Sequence, residues 1–312
     1  MRHVSLMFFV KTEIILVRYG EIALKGKETR KRFENSLVTN MRNALNSKKL
    51  SFKIQKERGR IYVYTKQIKE TIHVLKKVFG ITSMSPVFET ETNMDLISDL
   101  AVKVSKKFLT KKSTFAVRVK RTGNHNFSSQ DVAIRVGKDI ADATKAGVNL
   151  TKPDFELFIE IRDTKSFIFV EKIRGTGGMP LGTQGTVLVL VDSPQSILSA
   201  WYLMRRGCRT IFLTTDEMLL KSLGSFTNNW FAKTDIFLND NQTNLYENME
   251  KIAKSKNCDA IVTGHSFSNT IEENISKIKI FTKNITLPVL HPLIAMEKNE
   301  IDEKCKTIGI NL

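Results

Sequence analysis

Ionisable and hydroxyl side chains gather at three turns of this chain. The first is Asp192-Ser193-Pro194-Gln195-Ser196, which follows the unbroken apolar run Val187 to Val191. Such a run is expected of a parallel strand buried on both faces. Ser193 suits a helix N-cap and Pro194 the first helical position. Ile197, Leu198, Trp201, Tyr202 and Met204 then recur at helical spacing, and Gly207 supplies a C-cap. Strand, tight turn and helix N-terminus together form a natural anion site. The second turn, KRTGNHNFSSQ from Lys120, is basic and contains a glycine. His125 sits there between two asparagines with no second ligand at metal-site spacing, so a loop contact is expected of it. The third is His265, directly after the buried run Ala260 to Thr263 and Gly264. A solvent-facing cap and a general acid/base are both open to it. The three cysteines, Cys208, Cys258 and Cys305, form no CxxC pair, which makes a reducing cytoplasm the default. Cys305 shares an apolar face with Ile301 and Ile308 and is expected in a core.

Charge narrows the partners. Residues 1–182 carry 35 Lys and Arg against 18 Asp and Glu, so 35 − 18 = +17, whereas residues 183–312 carry 14 of each. A one-sided basic field points to a polyanion, with nucleic acid ahead of an anionic membrane surface because no basic amphipathic helix stands apart. No apolar run approaches the ~20 residues that span a bilayer. The opening MRHVSLMFFV reads as an extra strand or untrimmed leader rather than a targeting signal.

The elements that must position these turns follow from periodicity. Glu13 to Arg18 reads as a strand, and Phe33, Leu37, Met41 and Leu45 mark a helix whose outer face is basic. Phe52 to Ile54 and Arg60 to Tyr64 form a hairpin around Glu57-Arg58-Gly59, and Thr71 to Phe79 a helix stopped by Gly80. Met94 to Leu109 is expected as a helix with Leu96, Leu100, Val104 and Phe108 inward. Phe115 to Val119 is a strand, Ser128 or Ser129 caps a helix from Asp131 to Thr144, and two strands follow Pro153. RGTGGMPLGTQG is a Gly-rich connector. Beyond it, strands Val187 to Val191, Thr210 to Thr214, Ala260 to Thr263 and Leu287 to Leu290 alternate with helices near Leu245 to Ile252, Thr270 to Phe281 and Ile301 to Ile308. That alternation implies a parallel sheet with its ligand site at the strands' carboxyl ends. The fold class is therefore two α+β domains followed by an α/β domain, with expected boundaries 1–75, 76–180 and 181–312.

Several of these stretches resemble the tRNA 4-thiouridine synthetase (tRNA sulfurtransferase) family. VRYGEIALKGK resembles its N-terminal ferredoxin-like domain. FAVRVKRTGNHNFSSQDVAIRVG and the run from Thr151 to Gly185 resemble its THUMP domain and connector. AIVTG and LPVLHPLIAMEKNEI resemble its PP-loop adenylation domain. The resemblance covers residues 13–309, strongly over the first two domains and less completely over the third. It implies ATP-dependent chemistry: tRNA uracil adenylation followed by sulfur transfer, with ATP and Mg2+ as cofactors. It implies tRNA as partner, a sulfur donor or active synthetase as a second, and a homodimer. RNA contacts would fall to Arg18, Lys25, Lys27, Arg118, Lys120, Arg121, His125, Lys138 and Arg174, since Lys and Arg supply phosphate affinity.

The nucleotide positions implied by the resemblance are Leu190, Val191, Ser196, Thr214, Thr215 and Gly264. The family carries Ser-Gly-Gly-x-Asp-Ser after the first strand of its third domain. In ungapped register Val191 to Ser196 occupy those positions and only the last serine survives; alternatively Asp192-Ser193-Pro194 matches the family's Asp-Ser-Pro with the preceding Ser-Gly-Gly-x deleted. Asp192 puts negative charge where phosphate belongs and Pro194 lacks an N–H. The family's reactive cysteine is also expected to be missing, the third domain ending before it. The sequence thus reads as a cytoplasmic tRNA-binding member with an eroded ATP loop and little or no adenylation alone; the alternative is an active sulfurtransferase with a divergent site and partner-supplied sulfur.

Overall fold

Alternating and continuous apolar runs pair into two sheets. The computed structural model describes residues 12–57, 59–239, 244–267 and 271–310. The opening MRHVSLMFFV, Arg58 of the expected hairpin turn and Thr270, the expected start of a helix, lie outside them. The chain divides into two compact units. One takes the residues up to Arg18, Lys49–His73 and Ser83–Arg174; the other takes Tyr19–Lys48, Val74–Thr82 and Gly175–Leu312.

The first unit is built on strands β1 (Ile14–Tyr19), β2 (Lys53–Glu57), β3 (Arg60–Tyr64), β4 (Ile81–Glu91), β5 (Thr114–Thr122), β6 (Gly147–Val148), β7 (Phe155–Arg162), β8 (Lys165–Phe169) and β9 (Ile173–Arg174). Their order is β2-β3-β1-β4-β8-β7-β5-β6, with β9 on β4. The β2–β3 hairpin expected from the sequence is present, Lys53 opposite Tyr64. The long β4 escapes the sequence reading because Pro86 and the serines 83 and 85 interrupt its apolar alternation. Helix α3 (Met94–Ser105) ends before the expected Leu109; Val104 of its expected face is buried and Leu100 and Phe108 pack on the same core, but Leu96 does not. Asn93 caps it by accepting from the Asp95 and Leu96 N–H groups, which turns Ile97, Ala101 and Val104 inward and leaves Leu96 44% exposed. Helix α4 (Ser129–Thr144) opens with a capping box between Ser128 and Asp131.

One ion cluster ties the strands of this unit. The Glu160 carboxylate on β7 meets Arg60 Nε at 2.7 Å, Arg162 Nη1 at 3.0 Å and Arg18 Nε at 3.5 Å. Arg18 also donates to Ser85 Oγ at 2.9 Å and lies 4.6 Å over the Phe169 ring. Burial alone would raise the Glu160 pKa, but Arg60 and Arg18 outweigh it and hold the carboxyl below its ordinary value.

The second unit carries the parallel strands β10 (Thr186–Val191), β11 (Arg209–Thr214), β12 (Ile236–Leu238), β13 (Ala260–Val262) and β14 (Val289–Leu290), in the order β12-β11-β10-β13-β14. Every adjacent pair is parallel, as the α/β expectation requires. The helices of this unit are α1 (Lys27–Ser47), α5 (Pro194–Arg205), α6 (Glu217–Asn229), α7 (Leu245–Ser255), α8 (Ile271–Lys283) and α9 (Lys298–Ile308); α2 (Ile68–Leu75), which lies mostly in the first unit, ends four residues before the expected Phe79. Helix α6 and strand β12 are absent from the sequence reading: Met218 and Leu219 are followed by serines, a glycine and asparagines that blur the helical stripe. On α1, Phe33, Leu37, Met41 and Leu45 are all buried, as their spacing predicts. A core of Phe79, Trp201 and Trp230 packs with ring centroids 5.4–6.1 Å apart, each pair adding ~1 kcal/mol beyond area burial. Cys305 is buried between Ile301 and Ile308.

The Gly-rich connector is part of this unit's packing. The N–H groups of Gly182, Thr183 and Gln184 all donate to the Gly207 carbonyl, and Met179 N–H to that of Arg205. The end of strand β13 approaches α5 closely: a Cβ on Gly264 would lie 2.9 Å from both Ser196 N and Ser196 Cα. No helix among the described residues is long and apolar enough to cross a membrane.

Two outcomes follow from these contacts. Glu160→Gln leaves three guanidinium groups around a neutral amide and should cost ~3 kcal/mol in urea unfolding at pH 7. Because the folded pKa is depressed, this contribution is full above the unfolded carboxyl value of ~4.3 and disappears as pH falls through the folded value, so variant and parent should converge in acid. Gly264→Ala should destabilise by ~1–3 kcal/mol in thermal unfolding, since the backbone of α5 cannot yield to the added methyl.

Candidate functional site

The carboxyl ends of the parallel strands meet at one edge, and strand order reverses between β10 and β13, the position where such sheets take ligands. Leu190 and Val191 are buried at the end of β10, Thr214 at the end of β11 and Gly264 after β13, with Ser196 buried against Gly264 and Thr215 exposed. All six nucleotide candidates therefore fall at this edge. Ser193 takes the extended N-cap backbone conformation but makes no capping bond with its side chain. Its hydroxyl instead donates to Asp192 Oδ1 at 3.2 Å and lies 3.1 Å from Ser196 Oγ. Ser196 Oγ donates to the same Asp192 oxygen at 2.6 Å. Gln195 Nε2 reaches the Gly264 carbonyl at 3.1 Å, fastening the turn to the end of β13. A second carboxylate, Asp216, caps α6 by accepting from Met218 N–H at 2.6 Å. The turn after β10 thus satisfies an acid of its own, and Pro194 supplies no N–H to a ligand.

His265 is half-buried beside this turn. Its Nδ1 is 3.1 Å from Thr263 Oγ1, which is 2.7 Å from His291 Nδ1. The two imidazole centroids are 5.4 Å apart, and the Phe281 ring stands nearly perpendicular to that of His265 with centroids 5.7 Å apart. Burial pushes the His265 pKa down against the opposing pull of Asp192, and burial with the neighbouring His265 pushes His291 down. Thr263 and His291 escaped the sequence reading; the available signal was that His291 directly follows the last short strand.

The RNA candidates occupy different surroundings. Lys120, Lys138 and Arg174 are exposed on the first unit, and Lys25 and Lys27 are exposed on the second. Arg118 donates to Glu156 at 2.8 Å and to the Leu150 carbonyl at 2.7 Å. Arg121 Nη1 bonds the Gly123 carbonyl at 3.1 Å and lies 3.2 Å from His125 Nδ1, while His125 Nε2 lies 2.8 Å from the Asp163 carbonyl oxygen. Arg121 and His125 shape the basic loop from within. Arg18 belongs to the Glu160 cluster, as do Arg60 and Arg162, which the sequence reading did not single out. No group of three His, Cys, Asp or Glu suited to a metal occurs among the described residues.

A ThiI ferredoxin-like domain model matches residues 14–85, a THUMP domain model residues 91–171, and a thiamine biosynthesis protein (ThiI) model residues 232–311. A probable tRNA sulfurtransferase of Methanobrevibacter smithii is 32% identical over 334 residues, covering 95% of this chain and 86% of that protein. Its counterpart in Methanocaldococcus jannaschii is 32% identical over 333 residues, covering 95% and 87%. Among solved structures, PH1313 from Pyrococcus horikoshii superposes with a TM-score of 0.81 at 29% identity, covering 95% of this chain and 99% of that one. A 4-thiouridine synthetase–RNA complex with bound ATP gives 0.79 at 24% identity, covering 96% and 85%, a likeness of fold. The matched models and the relatives agree with the resemblance carried by VRYGEIALKGK, the THUMP-like stretch and LPVLHPLIAMEKNEI: the chain belongs to the tRNA sulfurtransferase family.

Proposed function

We propose that this chain is a tRNA-binding member of its family, associated with tRNA thiolation, whose ATP-pyrophosphate loop is eroded and which adenylates little or nothing alone. The observation that carries this reading is Asp192. Its carboxylate accepts from both Ser193 and Ser196 at the start of α5, where a pyrophosphate would need donors. Like charges ~4 Å apart repel by about 4 kcal/mol at an effective dielectric of ~20, roughly a thousandfold in affinity. The cysteines point the same way. Burial, with Asp259 next, pushes Cys258 up to about 11, and burial with Asp302 does the same to Cys305. Cys208 is raised as well, again by burial first. Such thiols are protonated at neutral pH and poor nucleophiles. Sulfur would then come from a partner protein.

On this reading ATP and Mg2+ are not required for RNA binding, which rests on the basic field of residues 1–182. Lys120 is the exposed cation of the basic loop, and the Arg121–His125 contact holds that loop's shape. Lys25, Lys27, Lys138 and Arg174 would add phosphate contacts, with Arg18 and Arg118 bracing the strands beneath. The proposed domains are 1–75, 76–180 and 181–312, and family likeness favours a homodimer.

The paired change Lys120→Glu and Arg121→Glu should weaken tRNA binding and lower the slope of log affinity against log salt by about one for each phosphate no longer neutralised. Equal binding and slope would move the RNA surface elsewhere. ATP–Mg2+ should leave the thermal midpoint unchanged and support no tRNA-dependent pyrophosphate exchange. A clear midpoint rise, or exchange, would instead favour an active sulfurtransferase with a divergent site.

A further inference from the structure

The two partners of His125 fix where its hydrogen sits. Arg121 Nη1, 3.2 Å from Nδ1, belongs to a guanidinium that keeps its charge and can only donate. Nδ1 therefore accepts and is bare. The Asp163 carbonyl oxygen, 2.8 Å from Nε2, can only accept, so Nε2 carries the hydrogen. Both bonds form together only on the neutral ring, and in this one tautomer. The ring is also stacked on Phe127, with centroids 5.6 Å apart. On the arginine, one nitrogen is committed: Nη1 donates to the Gly123 carbonyl at 3.1 Å and to His125. Among the described residues nothing meets its Nε or Nη2, and neither atom is buried. Those two N–H groups point side by side, the edge through which a guanidinium takes two oxygens of one phosphate.

We infer that neutral His125 is a positioning residue that holds Arg121 as a two-donor clamp for an RNA phosphate, and that a proton on Nδ1 releases the clamp. The inference deepens the reading of the basic loop as an RNA surface and rests on it. A protonated Nδ1 turns an N–H and a positive charge toward Nη1, so the bond is lost and the two cations repel. Arg121 then keeps its charge but not its orientation. Imidazole is the side chain that ordinarily titrates between about pH 8 and 5, a range in which guanidinium and phosphodiester charges stay fixed. The charged and titratable groups facing His125 are Arg121 from its own loop, Asp163 and Lys165 from the β7–β8 turn, Glu89 and Glu91 from β4, and Tyr64 from β3. Lys165 is itself engaged by Glu89 at 2.7 Å. Of these side chains only that of Arg121 bonds a ring nitrogen.

The test measures tRNA affinity of the full chain at about pH 8 and about pH 5, and follows the histidine ring nitrogens of the same protein by NMR. Arg121→Lys keeps the charge and loses the fork. At the higher pH it should weaken binding about tenfold, the loss of a charge-assisted hydrogen bond. At the lower pH parent and variant should bind alike. His125→Ala should match Arg121→Lys at the higher pH, and the double variant should be no weaker than either, since one contact serves both. His125→Asn, whose amide oxygen branches where Nδ1 does and does not titrate, should preserve the advantage of Arg121 over lysine at both pH values. The His125 signals should show hydrogen on Nε2 and none on Nδ1 at the higher pH. Hydrogen on Nδ1 there, or an Arg121→Lys loss that is the same at both pH values, overturns the inference. Lys120→Glu separates the two readings. If it weakens binding while His125→Ala does not, this inference alone falls; if neither change weakens binding, the RNA surface lies elsewhere and both fall.

Discussion

The meeting of Gly264 with the first turn of α5 governs the whole edge of the parallel sheet. Backbone touches backbone there: a Cβ would stand 2.9 Å from Ser196 N. That proximity brings the turn after β10 and the segment after β13 side by side, and Gln195 bonds across the gap. On one side of this contact lies the Asp192–Ser196 bond, and on the other the Thr263 hydroxyl with its two histidines. A crevice at this place is a property of topology, since β10 and β13 are neighbours in space and separated in sequence. What it accepts is a property of side chains. An exposed carboxylate and two neutral imidazoles make a different demand on a ligand than a ring of bare N–H groups does.

Much of this architecture was legible because the strongest sequence signals are also the most deeply buried elements. Val187 to Val191 reads as a two-sided strand, and it is the central strand of its sheet. The Phe33, Leu37, Met41 and Leu45 stripe lies wholly inside. Failures trace to positions where a local feature overrode periodicity. Ile97 and Ala101 fill the inner face of α3 with Val104, and of the expected stripe Leu96 alone is exposed. Pro86 and two serines concealed β4, and the polar run after Leu220 concealed α6. The site was legible only in part for a related reason. Ser196 and Gly264 each sit in a short recognisable motif, but the Thr263–His291 bond joins residues 28 positions apart and has no local signature.

Charge is partitioned along the sequence and not by compact unit, since Lys25 and Lys27 belong to the second unit. The basic excess belongs to residues 1–182, and within it the cations divide between two tasks. Arg18, Arg60 and Arg162 converge on Glu160 and are shielded, whereas Lys120, Lys138 and Arg174 remain exposed. The distinction follows from chemistry: a guanidinium keeps its charge when half-buried and binds a carboxylate through several N–H groups, while a strongly hydrated ammonium loses more on leaving water. Counting cations along the chain therefore overstates the number available to a polyanion.

The glycine-rich connector carries a consequence for how the second unit comes apart. Composition alone would make Gly175 to Gly185 a soft tether, fraying ahead of the elements it joins. Three successive N–H groups on one carbonyl, that of Gly207, and a fourth on Arg205 make it instead the cap of the α5 C-terminus. A Cβ at Gly178 would collide with the Arg205 carbonyl, so the glycines serve close packing there. The connector and the end of α5 thus open as one cooperative unit, and amide protons throughout the segment report the stability of the helix that covers the sheet's central strand.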